Sequence, residues 1–135
     1  MNTKPVLSAA DVQTILTAAE QHAGAHQWAV TISVVDDGGH LLGLVRRDGA
    51  APVSAAISTA KARTAALGRR ESKGYEDAIN QGRYSFLSAP EIQGMLEGGV
   101  PIVAETHVVG AVGVSGVKSS EDAETARAGI AALKL

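Results

Sequence analysis

The chain has 135 residues, a net charge of −2, a near-even mix of apolar and polar residues, and no cysteine. That length suits one domain with one hydrophobic core, and residues 1–135 read as a single unit. Without clustered Lys and Arg, a nucleic-acid partner is excluded, and without cysteine so are disulfides, thiolate zinc sites and thiol catalysis.

The first element is a helix. Ser8 is its N-cap, Asp11 stands three residues on, and Leu7 and Val12 form a hydrophobic staple. Val12, Ile15, Leu16 and Ala19 share a face, and Gly24 marks the end. The opening MNTKPVLSAADV shows no apolar signal core behind a basic end, and no apolar run is long enough to span a membrane. The expected location is the cytoplasm.

Val30, Ile32 and Val34 alternate with Thr31 and Ser33, the period of a half-buried strand. Asp36–Gly39 supply a turn, and Leu41–Arg47 return as the second strand of a hairpin closed by Asp48 and Gly49. Pro52 suits the first turn of a helix running to about Leu67, with Gly68 as its stop. Its inward stripe is read as Val53, Ile57, Ala60 and Thr64.

Residues 69–99 are the least regular, with a short helix over Tyr75–Asn80 and three of the four aromatics, Tyr75, Tyr84 and Phe86. A long irregular segment in a compact domain often binds a ligand. Val100–Ala104 and Val108–Val114 then form a second hairpin around a turn at Glu105–His107. Ser119 and Asp122 read as a capping box for a last helix over Ser120–Leu133. The order α-ββ-α-loop-ββ-α, with tight hairpins, makes this an α+β domain whose helices pack on an antiparallel sheet.

The stretch VVGAVGVSG carries Gly110, Gly113 and Gly116. It lacks the spacing GxxxxGK followed by Ser or Thr, and the GxGxxG of a dinucleotide turn. Glycine in a strand instead marks close approach of another backbone or of a ligand, and the alanine-rich second helix is the favoured neighbour. Lys61 sits at the edge of the inward stripe. It must snorkel, pair with Asp36 or Asp48, or meet a ligand carboxylate. Arg46 and Asp48 bracket the end of the first hairpin as a surface pair or ligand contacts. His22 and His26, spaced i and i+4, can present two imidazoles to a metal. No third ligand stands at a matching position, and histidine also suits a helix C-terminus without metal. His40 and His107 fall in turns. Glu121 and Glu124 lie on the opening turns of the last helix, where they complement its dipole. No serine elbow or HExxH motif is present.

Taken together, VVDDGGHLLGLVRRDGA, AKARTAA, GGVPIV and VVGAVGVSG, in this order and followed by an acidic helix start, resemble the GlcG/HbpS family, which includes the C-terminal domain of PduO. The resemblance spans nearly the whole chain. It implies a profilin-like fold, a three-layer arrangement of antiparallel sheet and helices. It also implies homo-oligomers, from tetramer to octamer, and in some members haem. Matching positions include Asp36, Gly39, Arg46, Asp48, Lys61, Gly98, Gly99, Gly113, Ser115 and Asp122. The chain departs from the family pattern at Arg47, where Met is common, and at Glu105–His107, where the turn commonly carries Gly.

The function expected is a cytoplasmic, oligomeric small-molecule or haem binder. The ligand would lie between the sheet, the 69–99 segment and a neighbouring subunit. Arg46, Asp48 and Lys61 would meet its acidic group, and Gly98, Gly99 and Ser115 would border it. Tyr84 and Phe86 would carry its apolar part, and His22 would be an axial haem ligand. Two alternatives stay open: an enzyme acting on a small hydroxy acid or aldehyde with Lys61 as its polar centre, and a structural assembly module.

Overall fold

A computed structural model describes residues 1–135. In chain order the elements are α1 (Ala9–Ala25), β1 (Thr31–Asp36), β2 (Leu41–Arg46), α2 (Val53–Gly68), α3 (Ser72–Asn80), a 3-10 turn (Tyr84–Ser88), β3 (Gly99–Ala104), β4 (His107–Ser115) and α4 (Ser119–Ala131). The four strands form one antiparallel sheet in the order β2-β1-β4-β3. The two hairpins meet in the middle, where β1 pairs with β4 from Thr31 opposite Ser115 to Asp36 opposite Gly110. No helix is long and apolar enough to cross a membrane.

Helices α1 and α4 cover one face of the sheet. Val12, Ile15, Leu16, Ala19 and Ala23 of α1 and Ala126 of α4 meet Val30, Ile32, Val34, Ile102, Val112 and Val114 in the main core. Full burial of one such aliphatic side chain contributes about 1.5–3 kcal/mol. Ser8 caps α1 as expected. Asp11 N donates to Ser8 Oγ at 3.1 Å and Ser8 N donates to Asp11 Oδ2 at 2.8 Å. The backbone and hydroxyl bonds from Ser8 hold the Asp11 carboxyl below its ordinary value. The helix runs through Gly24, and the left-handed residue beyond it is Gln27, at φ 59°.

Helix α2 covers the other face, so β1 is buried on both sides, where its alternation had predicted half-burial. The polar side of β1 meets the polar side of α2. Ser54 Oγ donates to Ala51 O at 2.6 Å, and so accepts the hydrogen of Thr31 Oγ1 at 2.7 Å. Ser58 bonds Ala55 O and meets Ser33 Oγ at 2.8 Å in the same way. The inward face of α2 is therefore Ser54, Ser58, Lys61, Ala62, Thr64, Ala65 and Ala66; of the stripe read from the sequence, Thr64 is buried as expected. Val53, expected inside, is 59% exposed. Helix α2 stops at Arg69, which takes the left-handed conformation (φ 57°), while Gly68 stays helical.

The glycine strand has its close neighbour. A methyl group added to Gly113 of β4 would fall on the carbonyl oxygen of Ser58 and 2.5 Å from the amide nitrogen of Ala62. The backbone of α2 lies directly on β4, as the alanine-rich helix implied.

Other boundaries shift by a few residues. Helix α3 begins at Ser72. The β3–β4 connection is a two-residue turn with Glu105 and Thr106 both at positive φ (50° and 69°), and His107 already belongs to β4. Lys118, not Ser119, caps α4, and its N–H donates to Glu121 Oε1 at 3.3 Å. Asp122 is thereby released from the cap.

Candidate functional site

The residues singled out from the sequence fall into three groups. The first lies where β2 ends beside the C-terminal turns of α1. Arg46 and Asp48 line an open cleft of about 450 Å³ with Glu20, Gly24, Gln27, Trp28, Ala29 and Arg47. Arg47 Nη1 donates to Trp28 O at 2.8 Å and Arg46 Nε donates to Ala50 O at 3.3 Å. Both guanidiniums are held by backbone carbonyls and keep further donors for an anion. Trp28 and Ala29 are the apolar members of an otherwise polar wall.

His22 adjoins this cleft through Trp28. His26 stacks on Trp28 with ring centroids 4.3 Å apart, and His22 lies 5.8 Å from the same ring. Glu124 of α4, read from sequence as a dipole partner, reaches His22, with Nε2 to Oε2 at 2.7 Å. The two residues are 102 positions apart, so no local spacing could have announced the contact.

The second group surrounds Lys61, which is 3% exposed. Its ammonium donates to Val114 O at 2.9 Å and to Asp122 Oδ2 at 3.1 Å. Asp122, 2% exposed, also accepts from Val117 N at 3.2 Å through Oδ1. The expected pairings with Asp36 or Asp48 are replaced by this one, because α4 delivers Asp122 to the end of β4. Asp36 instead accepts from Gly38 N and His40 N within its own turn, both at 2.9 Å. Burial pushes the Asp122 carboxyl up, against the pull of the Lys61 charge and the Val117 N–H.

Gly98 and Gly99 close over Lys61. Gly98 has φ +133°, and a methyl there would stand 2.8 Å from Lys61 Nζ. Ser115, beside Val114, is buried at the same end of the sheet. Lys61 is absent from the lining of the Arg46–Asp48 cleft, so the two cations do not share one open site.

The third group is aromatic. Phe86 meets Tyr75 edge-on at 5.2 Å with Arg83 over its face, while Tyr84 is 66% exposed. The neighbouring cavity, about 290 Å³, is lined by Glu76, Ile79, Asn80, Leu87, Gln93, Met95 and Leu96, with neither Tyr84 nor Phe86 among them. The single pocket expected between Lys61, Arg46 and these rings is therefore divided. Sequence reading missed Trp28, Arg47 and Glu124, all brought to the cleft region by the meeting of α1, β2 and α4.

Comparison with known proteins follows the same outline. Residues 7–131 match the family described as haem degrading protein HbpS-like. The protein GlcG of Escherichia coli is 53% identical over 115 residues, 85% of each chain. The Klebsiella pneumoniae protein ORFY superposes with a TM-score of 0.90 at 30% identity, covering 99% of this chain and 97% of that one. A structure described as a PduOC:heme complex superposes at TM-score 0.86 and 28% identity, over 95% of each chain.

Proposed function

The chain belongs to the HbpS-like family, and from that membership we propose that it is a homo-oligomeric ligand-binding protein whose cleft beside Trp28 receives haem. The observation that carries this reading is Trp28, which lines the cleft with Arg46 and Arg47 and has the imidazoles of His26 and His22 packed beside its ring, outside the cleft lining. An imidazole supplies the axial ligand, an aromatic face accepts the porphyrin plane, and Arg pairs with propionates. The haem complex of a fold relative supports it.

Hemin titration followed at the Soret band tests the reading. A saturable, red-shifted band is expected, and it should be lost in His22→Ala or His26→Ala. A shift that never saturates sinks the haem reading.

The polar wall of the cleft favours a second reading, a small carboxylate held by Arg46 and Arg47. Binding of such an anion would survive both histidine substitutions and disappear in Arg46→Ala.

Assembly has its own support. β2 is an edge strand with Leu41, Leu42 and Leu44 exposed. It borders a groove of about 460 Å³ walled by Leu7, Val12, Leu16, Leu42, Leu44 and Val45. Unpaired apolar edges invite pairing with another copy. Sedimentation is expected to give a mass well above the single-chain 13.8 kDa, and a monomer at micromolar concentration would remove this part of the reading.

A further inference from the structure

We propose that His22, His26 and Glu124 form a binding site for a divalent transition-metal ion of the zinc class. The ligand atoms of the three residues lie within 4.8 Å of one another. Donors at about 2.0–2.2 Å from one zinc ion stand a little over 3 Å apart. Partly exposed side chains on two helices reach that spacing by small rotations. The site is built where two helices face each other in the fold, the last turn of α1 giving His22, its C-cap giving His26, and α4 giving the carboxylate.

The hydrogen bonds already orient the donors. His26 Nδ1 stands 2.9 Å from His22 O. A carbonyl only accepts, so Nδ1 carries the hydrogen and the neutral ring leaves its Nε2 lone pair free. That is the arrangement by which a backbone carbonyl fixes a metal-binding imidazole. His22 Nε2 donates to Glu124 Oε2. A metal ion takes the place of that hydrogen on Nε2, and the single proton of the neutral ring moves to Nδ1. His22 lies in the last turn of α1, whose C-terminal carbonyls favour a cation.

Two imidazoles and one carboxylate select zinc, copper, nickel or cobalt over magnesium or calcium, which prefer all-oxygen shells. Three protein ligands leave a position for water or a solute. The inference goes beyond the haem reading, since haem needs one axial imidazole whereas this ion needs both imidazoles and Glu124.

The test uses tag-free, haem-free protein and two probes. Zinc binding is measured by calorimetry. Copper(II) binding is followed through Trp28, the single tryptophan of the chain, which stacks on His26. One saturable zinc site per chain is expected, with strong quenching of Trp28 by copper. His22→Ala, His26→Ala and Glu124→Gln should each weaken zinc at least tenfold, while His40→Ala and His107→Ala leave it unchanged. Absence of saturable zinc binding, or Glu124→Gln binding zinc within twofold of the parent, overturns the proposal. Hemin titration of Glu124→Gln separates the two readings: a retained Soret band beside lost zinc binding assigns Glu124 to the metal alone.

Discussion

Lys61→Met is expected to lower the free energy of unfolding by about 3–5 kcal/mol at neutral pH, measured by urea denaturation. The substitution keeps a similar stem but removes the ammonium. It leaves the Asp122 carboxylate with one backbone donor, Val117 N, and takes a donor from Val114 O. The double variant Lys61→Met/Asp122→Leu should regain most of the loss, because an apolar pair avoids the cost of dehydrating two charges. The pH dependence has a definite sign. Burial raises the folded-state pKa of Asp122 above its ordinary 3.8. Its neutral form is therefore favoured on folding, and stability from this group grows as pH falls through the window above 3.8 and is lost as pH rises. Removing Lys61 takes away a charge that opposes the shift, so the deficit of Lys61→Met should shrink on acidification. A variant as stable as the parent at pH 7 would show that the pair does not hold α2 to α4.

Gly113→Val should be nearly as damaging, with a loss of about 3 kcal/mol. The new side chain cannot rotate away, since its first carbon already falls on the Ser58 carbonyl and stands 2.9 Å from the Ala62 methyl. Either α2 lifts from the sheet, breaking the Ser33–Ser58 bond, or β4 bends. A Gly113→Val protein melting within a degree of the parent would mean that helix and strand are not in backbone contact.

These two sites also show what sequence reading reaches and what it misses. Some local signals held, with Ser8 and Asp11 capping α1 and Asp36–Gly39 turning the first hairpin, while the stops read at Gly24 and Gly68 and the cap read at Ser119 were displaced by one to three residues. The glycines of VVGAVGVSG pointed to close neighbours, and α2 supplies that of Gly113, while Gly110 lies against Val35 of β1 and Gly116 against Ala29. The face of α2 was misread because hydrophobicity is a poor guide when a helix meets hydroxyl-bearing strand residues. Ser54 and Ser58 look like surface residues until Thr31 and Ser33 are seen to bond them. Lys61 drew notice by its position, yet its partner lies 61 residues away. Trp28 had no motif, Arg47 was noticed only as a departure from the family pattern and Glu124 only as a dipole partner; the packing of α1 against β2 and α4 gives them their contacts.

The placement of β1 beside β4 also governs the order of events as the chain is made. The first hairpin can close early, but the outer edge of β1 has no neighbour until β4 is synthesised, since Thr31 pairs with Ser115. At roughly 5–20 residues per second the wait is on the order of ten seconds. Through that interval an apolar strand flanked by a finished hairpin presents open hydrogen-bonding groups to any nascent chain nearby. Two ribosomes on one message would hold such hairpins close together. The sheet is completed only when the chain's own last strand arrives beside β1.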